Sequence, residues 1–233
     1  MLKSVINKLH KSKLLGTIFH TLDYCLQKEL GDCRSALDLG CGPNSPITKC
    51  VNIEHSVGVE LFKPYLKEAR ENRTHDEFIE GDILELDFEE NSFDAVILID
   101  VLEHLNKSSG KAVLERAKKW AKKKVVVTTP NGFIEQAPVD ENPHQAHKSG
   151  WNYNDMLSLG FEVYGLAGLK YLRRAKEEDD SMDDNLLVSI KYKPKFFWFG
   201  IATFSQIFTY FFPEHAFELF CVKHDNFSGN TSP

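Results

Sequence analysis

The chain has 233 residues, of which 42% are hydrophobic, and a net charge of −6. This length predicts one α/β domain with additions, because domains usually take about 100–200 residues. The acidic balance argues against a nucleic-acid partner. Five cysteines without C-x-x-C spacing or a disulfide framework indicate reduced thiols in a cytoplasmic protein. Lysines and a histidine interrupt each apolar run before Leu14, so the sequence predicts no signal peptide.

The first 30 residues alternate apolar and basic side chains at helical spacing, which predicts two amphipathic helices. The apolar positions are Leu2, Val5, Ile6, Leu9, Leu15, Ile18, Phe19, Leu22 and Leu26. Such helices either cap a sheet and cover its pocket or lie, as basic helices do, on a membrane surface. The sequence leaves both interpretations open.

A buried strand running into a glycine turn, SALDLGCGPN at 35–44, is the first candidate binding element. Gly40 and Gly42 flank Cys41 and let the backbone approach a ligand closely. A second apolar run ends on Glu60, about 20 residues further on, where a carboxylate usually binds the hydroxyls of a ribose. The pattern predicts an adenosine-containing cofactor across the carboxyl ends of parallel strands.

The turn favours a cationic cofactor over a phosphate-bearing one. A dinucleotide site needs a third glycine where this chain has Ser45, and Pro43 removes one N–H from the turn. Asp38 adds negative charge at the same place. S-adenosylmethionine carries a sulfonium and an ammonium and no phosphate, so it is the cofactor that we predict, and a dehydrogenase is disfavoured.

The next elements predict a helix over Lys63 to Arg73 and a strand over Glu77 to Glu80, followed by Asp82 and Ile83. Asp82 lies at a strand end, where it either accepts a hydrogen bond from the adenine amino group or caps the following turn. Ile83 and Leu61 are candidates to sandwich the adenine ring.

Two further apolar runs, 93–99 and 125–129, predict the fourth and fifth strands, with a helix over 107–121 between them. Alternating strands and helices predict a doubly wound sheet with right-handed crossovers. Asp100, Glu103 and His104 follow the fourth strand directly.

The ordered motifs resemble those of class I S-adenosylmethionine-dependent methyltransferases, small-molecule and type 11-like, over about 35–169. They are ALDLGCGP, VGVE, GDILEL, FDAVILIDVLEHL and VVVTTPNG. The resemblance implies an α/β fold with a doubly wound, seven-stranded, mostly parallel Rossmann-like sheet, with antiparallel strands near 161–166 and 217–223. It places Asp38, Gly40 and Gly42 around the methionine moiety, Glu60 on the ribose, and Asp82 with Ile83 at the adenine. Cys41, Leu61 and Asp100 are further residues that we predict to bind the cofactor. Helices would occupy 1–30, the cofactor core 31–169, and a helical insertion with the last strand 170–233.

Methyl transfer to oxygen needs a group that removes a proton, and histidine suits this at neutral pH. We predict His147, His104 and Glu103 as catalytic residues, with His147 as the base and Trp151 as a wall for the acceptor. His147 lies in the long loop 132–150 after the fifth strand, and loops of this length are usually functional. The alternative is that the histidine only ties its loop down.

The D-x-x-E-H run at Asp100, Glu103 and His104, completed by His147, also resembles a metal-binding set. Ubiquinone-pathway O-methyltransferases and small-RNA 2′-O-methyltransferases carry E-x-x-E-H there, so this chain departs from them at Asp100. We predict no metal, and keep a metal-assisted RNA 2′-O-methyltransferase and a non-catalytic cofactor-binding or interaction protein as alternatives. The first interpretation is methylation of a small-molecule or lipid-linked acceptor, at oxygen.

The segment 196–212 has seventeen residues, seven of them phenylalanine, and no charge. It falls short of the about 20 residues needed to span a membrane. It predicts either a helix packed on the core or on a partner subunit of a homodimer, or a helix in the headgroup layer with Lys191, Lys193 and Lys195 toward anionic lipid. The acidic stretch 173–185 predicts a surface loop.

Overall fold

The computed structural model describes residues 13–138, 141–174 and 189–224. Seven strands form one sheet in the order β3-β2-β1-β4-β5-β7-β6, which confirms the predicted fold class. The first five strands are parallel, and β7 runs antiparallel to both β5 and β6. The strands are β1 Ser35–Leu39, β2 His55–Glu60, β3 Glu77–Glu80, β4 Phe93–Ile99, β5 Ala121–Pro130, β6 Glu162–Leu169 and β7 Ala216–His224.

Helices cover both faces of the sheet, as a parallel sheet requires. They are α1 Lys13–Phe19, α2 Leu22–Glu29, α3 Lys63–Asn72, α4 Lys107–Trp120, α5 Tyr153–Ser158 and α6 Lys195–Phe211. A 3₁₀ turn, Pro46–Lys49, follows the glycine turn. It begins with a proline and is capped by the Ser45 hydroxyl, which accepts from the Ile47 amide. β5 begins at Ala121, earlier than expected, because the chain leaves α4 directly into the strand.

The core has two layers, one on each face of the sheet. The larger holds Trp120 and Trp151 with side chains from β4, β5 and α4. The smaller holds Cys25, Leu26 and Tyr210, which join α2 and α6 to the other face. All five cysteines are free and buried, in agreement with the expectation of reduced thiols.

The turns after β1 to β5 meet at one edge of the sheet, because the carboxyl ends of parallel strands point the same way. Ligands of open α/β sheets bind at this edge. The order of strands reverses between β1 and β4, so the turns that follow these two strands flank the crevice. Asp38, Glu60 and Asp100 therefore belong to one neighbourhood of the molecule.

The insertion between β6 and β7 carries α6, which crosses β6 in close backbone contact. Gly165 and Gly168 make this approach feasible, because a Cβ at either position would collide with a carbonyl oxygen of α6. Within the described ranges, no helix is both long and apolar enough to cross a bilayer. The predicted helical stripe at Leu2 to Leu9 and the acidic residues 175–185 lie outside the described residues.

Candidate active site

The glycine turn after β1 is a concave backbone surface. Gly40 has φ +72° and Gly42 has φ +57°, the left-handed region that glycine adopts without strain. The amides of Gly40 and Cys41 both donate to the carbonyl of Val59, which ties the turn to the end of β2. A Cβ built on Gly42 would meet nothing within 4 Å, so the backbone there faces open space.

The Asp38 carboxylate is 1% exposed and lies beneath this turn. Its Oδ2 accepts a hydrogen bond from the Ser45 hydroxyl at 2.5 Å and lies 3.1 Å from His75 Nε2. Its Oδ1 is buried without a hydrogen-bond partner among the residues described. An acceptor buried without a partner costs about 1–3 kcal/mol. Oδ1 is thus available to a donor that a ligand would bring.

Glu60, at the end of β2, holds the turn from the other side. Its Oε2 accepts from the Gly42 amide at 3.0 Å and its Oε1 from the Phe62 amide at 2.8 Å. Burial raises the pKa of this carboxyl, while the backbone donors oppose the rise. Each oxygen keeps a second lone pair, so the carboxylate is fixed in place and can still accept hydrogen bonds from hydroxyl groups.

Some of the residues expected to contact the adenine are exposed and others are buried. Asp82 caps its own turn, accepting from the Leu84 amide at 2.8 Å, as the alternative interpretation anticipated. Ile83 is 9% exposed and packs into the larger core layer, whereas Leu61 is 37% exposed. Cys41 points its thiol inward, next to Gly58, so only its backbone faces the turn.

Asp100 is exposed at the end of β4, with φ +54°. Its Oδ1 accepts from the Thr128 hydroxyl at 2.8 Å, and its own amide donates to Thr128 Oγ1 at 3.0 Å. These bonds between neighbouring strand ends hold the carboxylate at the crevice.

Glu103 is 3% exposed and sits deeper, in the 3₁₀ turn Leu102–His104. Its Oε2 accepts from the Thr129 hydroxyl at 3.0 Å. Burial, reinforced by the negative charge of Asp100, raises the pKa of this carboxyl well above its ordinary value. Its backbone carbonyl accepts from the amides of Lys148 and Ser149, which fastens the end of the loop 132–150.

His104 and His147 lie ring to ring, with centroids 4.9 Å apart. Nδ1 of His104 is 3.3 Å from the Ala146 carbonyl and Nδ1 of His147 is 2.6 Å from the Ile134 carbonyl. A carbonyl only accepts, so each Nδ1 carries the hydrogen and each Nε2 of the neutral rings is unprotonated.

Both imidazoles are neutral at pH 7. Burial, with a smaller contribution from His147, lowers the pKa of His104 to about 4. Burial also lowers the pKa of His147. Glu103, His104 and His147 each offer a ligand atom, and the three atoms lie within 4.8 Å of one another. The structure therefore brings together the three residues predicted to be catalytic.

Comparison with known proteins locates a family match over 37–129, to the model described as a methyltransferase domain, type 11. These residues contain the glycine turn, Glu60, Asp82, Asp100, Glu103 and His104. The chain carries a methyltransferase domain. The match over 37–129 agrees with the methyltransferase family that the sequence motifs predicted. No curated protein sequence matches the chain.

Solved structures share the fold of this methyltransferase. A SAM-dependent methyltransferase from Archaeoglobus fulgidus is 17% identical, with 91% of this chain and 98% of that chain covered and a TM-score of 0.50. The methyltransferase domain of bacterial CtHen1-C is 15% identical over 86% and 94% of the two chains, with a TM-score of 0.51. The PH0226 protein from Pyrococcus horikoshii is 27% identical with a TM-score of 0.44, and the match covers 52% of this chain and only 61% of that one.

Trp151 is not a wall of the acceptor pocket, and this prediction was wrong. The side chain is fully buried and its indole N–H donates to the Leu102 carbonyl at 3.1 Å and to the Ser149 hydroxyl at 3.0 Å. Gly110 leaves it room, since a Cβ there would lie 2.6 Å from the indole ring. Trp151 instead anchors the loop 132–150 in the core of the methyltransferase.

Sequence reasoning missed two buried polar residues of this edge. His75 reaches Asp38 from 37 positions away, and no local pattern marked it. Glu218 interrupts the apolar run of β7, which was the available signal. One of its carboxyl oxygens is buried without a hydrogen-bond partner in the described part of the chain. Burial and the charges of Asp100 and Glu103 raise the pKa of Glu218 well above its ordinary value, opposed by Arg173.

Proposed function

We propose that this methyltransferase transfers a methyl group from S-adenosylmethionine to an oxygen of a small-molecule acceptor, free or lipid-linked, with His147 as the base. One observation carries the proposal. His147 Nδ1 is held by the Ile134 carbonyl, which leaves Nε2 unprotonated, and one ring nitrogen of His147 lies within 4.8 Å of ligand atoms of Glu103 and His104.

The cofactor would be held by residues of the β1 and β2 ends. The open backbone at Gly42 gives room for the methionine portion, and the unpartnered Oδ1 of Asp38 can accept from its ammonium group. Glu60 would accept from the ribose hydroxyls, and the exposed Leu61 would cover the adenine. When bound, S-adenosylmethionine supplies the electrophilic methyl carbon, so the protein has to orient the acceptor and receive its proton.

The acceptor proton would pass to Nε2 of His147, while Nδ1–H stays bonded to Ile134. The lowered pKa keeps this nitrogen free of protons throughout the neutral range. Glu103, with its raised pKa, holds its proton and leaves no full negative charge buried beside the imidazoles. As the methyl group moves, the sulfonium becomes a neutral thioether and the proton carries the positive charge to the imidazole of His147, so the net charge of the site stays the same during the step.

The test is labelled-methyl transfer from S-adenosylmethionine to a fractionated small-molecule extract. We expect His147→Gln to lower the single-turnover rate by about 10²–10⁴, the usual contribution of a general base. Adenosylhomocysteine affinity should stay unchanged by calorimetry. His144→Gln is the matched control, because His144 is exposed in the same loop. Equal rates for the two variants would reject His147 as the base.

A metal-assisted reaction is the second candidate, supported by the ligand atoms of Glu103, His104 and His147 that lie within 4.8 Å of one another. The Nδ1–H groups of both histidines are oriented by backbone carbonyls, as in metal sites. Titration with Mg²⁺ and Mn²⁺ separates the two candidates. A metal-dependent rise in melting temperature and rate, lost in His104→Gln, would favour the metal. No change in either quantity would eliminate it.

RNA is the acceptor that goes with the metal-assisted reaction, as in the small-RNA 2′-O-methyltransferases whose motif this chain resembles. Binding of a short RNA at moderate salt would support that acceptor, against the expectation from the net charge of −6.

A further inference from the structure

The outer face of α6 is apolar along its whole length and is left uncovered by the described residues. Six phenylalanines on it are between 47% and 68% exposed, namely Phe196, Phe197, Phe204, Phe208, Phe211 and Phe212. Ile201 and Ile207 fill the spaces between them, at 36% and 40% exposed. No charged residue interrupts the face. We call this surface the α6 face.

The size of the α6 face is unusual for a free surface. Taking about 200 Å² for each aromatic side chain, the exposed part is on the order of 700 Å², above the roughly 300–600 Å² of the largest patch on typical monomers. Patches of this size are usually covered by a partner or a membrane.

The opposite side of α6 is fixed to the core, so the α6 face cannot turn inward. Gln206 is buried, accepts from the Gly168 amide at 2.5 Å and donates to the Gly165 carbonyl at 3.2 Å. Tyr210 stacks between Tyr164 and His20. These contacts hold the helix on β6 and leave its outer side uncovered by residues 13–138, 141–174 and 189–224.

Positive charge adjoins the α6 face although the whole chain is acidic. Lys191 and Lys193 are exposed just before α6, next to the exposed Tyr192. On the other side, Phe19 of α1 packs edge-on against Phe204 at 5.7 Å. The sequence that leads into α1 contains Lys3, Lys8 and Lys11, so further lysines precede an element that contacts α6.

We propose that the α6 face docks on an anionic lipid bilayer, with α6 lying in the headgroup layer parallel to the surface. Its 17 residues extend about 25 Å, and an apolar helix face flanked by lysines and a tyrosine is the pattern of interfacial helices. A second copy of the chain that met this one face to face would bury the phenylalanines equally well, but the α6 face contains no acidic residue to pair with the flanking lysines.

The α6 face ends close to the catalytic loop. The Asn131 side-chain amide donates to the carbonyls of Pro213, Glu214 and Ala216, in the turn that follows α6. Asn131 is also the residue before the loop 132–150 that carries His147. Docking would place the acceptor side of the crevice near the bilayer. The docking itself does not depend on which acceptor the enzyme uses.

Flotation of the full-length protein with vesicles tests the proposal. The vesicles are phosphatidylcholine alone, or phosphatidylcholine with about 30 mol% phosphatidylserine. We expect flotation with the anionic vesicles only. The double variant Phe204→Glu/Phe208→Glu should weaken partitioning at least about tenfold, since each change puts a charge into the apolar layer. The matched control is Val51→Glu/Leu157→Glu, which alters exposed apolar residues away from α6.

Lys191→Gln/Lys193→Gln should weaken the partitioning that depends on phosphatidylserine about 30-fold, at about 1 kcal/mol for each lysine near the surface. Adenosylhomocysteine binding by each variant reports that it is folded. The proposal is overturned by an absence of flotation, by equal flotation of the α6-face and control variants, or by a lipid-free dimer that Phe204→Glu/Phe208→Glu dissociates.

Discussion

The two sides of the crevice differ in how their buried acidic and basic side chains are stabilised. On the β1–β2 side, the Glu60 carboxylate and Oδ2 of Asp38 are held by protein donors, two backbone amides for Glu60 and Ser45 and His75 for Asp38. On the β4–β5 side, burial raises the pKa of Glu103 and lowers that of both histidines, so these groups are neutral. In the proposed function, the first side would hold the cationic cofactor and the second would accept a proton. The predictions below test this division, from the largest expected effect to the smallest.

The first prediction concerns Trp151, which anchors the loop 132–150 on the β4–β5 side of the crevice. Trp151→Ala should cost about 3–5 kcal/mol, because it removes a fully buried indole and its two hydrogen bonds. The melting temperature should fall by about 10 °C, measured by calorimetry. Adenosylhomocysteine affinity at a temperature where the variant is folded should change by less than about threefold, since the first side is intact.

Phe133→Ala is the control for Trp151→Ala, because Phe133 lies in the same loop and is 61% exposed. It should cost less than about 1 kcal/mol. A large loss of cofactor affinity in Trp151→Ala would show that the two sides are not independent.

The second prediction concerns Glu60, on the β1–β2 side of the crevice. Glu60→Gln should weaken adenosylhomocysteine binding by about 10–100-fold, because an amide can accept from only one of the two backbone N–H groups and leaves the other unpaired. Calorimetric titration measures the change. Glu80→Gln, at the end of β3, is the control, because its carboxylate only pairs with exposed Lys63. Wild-type affinity in Glu60→Gln would remove Glu60 from the cofactor site.

The third prediction is a dependence of stability on pH. An unfolded histidine titrates near 6.5, whereas folded His104 titrates at about 4. Between these values the unfolded chain binds the proton and the folded chain does not, so stability falls as the pH drops below 6.5. At pH 5 the loss from His104 is about 2 kcal/mol. His104→Asn should show a smaller decrease in melting temperature between pH 7 and pH 5 than the wild type, and equal decreases would contradict the assignment.

The smallest effect is expected at Glu218. Its raised pKa means that the folded chain keeps a proton that the unfolded chain releases above about pH 4.5, so this residue lowers stability as the pH rises. Glu218→Gln mimics the neutral acid. We expect Glu218→Gln to stabilise the protein by about 1 kcal/mol at pH 8. This value is the lower end of the usual free-energy cost of a buried acceptor without a partner. The stabilisation should be smaller at pH 5. Denaturant unfolding at both pH values measures it, and destabilisation at pH 8 would show that the carboxylate is charged and bound.

The sequence predicted the positions of the strand-end carboxylates better than the contacts between residues that are distant in the chain. Strand ends and the glycine turn are local signals, and the parallel order of β1 to β4 brings Asp38, Glu60 and Asp100 to one edge without further information. The role of Trp151 was wrong because its partners, Leu102 and Gly110, lie more than 40 residues away. The pairing of Asp38 with His75 was not predicted for the same reason: it depends on how α3 and β3 return the chain to the sheet.

The sequence predicted that α6 is apolar, but it did not predict which side of the helix is the outer one. Seven phenylalanines and no charge predicted an apolar helix, which the structure contains at Lys195–Phe211. Which residues would face the core depended on Gly165 and Gly168, whose missing side chains let α6 approach β6. No periodicity in α6 itself carries that information.

The single amide of Asn131 has a mechanical consequence. By bonding three successive parts of the turn after α6, it makes the end of β5 and the start of β7 one rigid corner. These bonds oppose a hinge motion of the insertion relative to the strand that precedes the histidine loop. A surface bound to the outer phenylalanines would therefore keep its orientation relative to the end of β5.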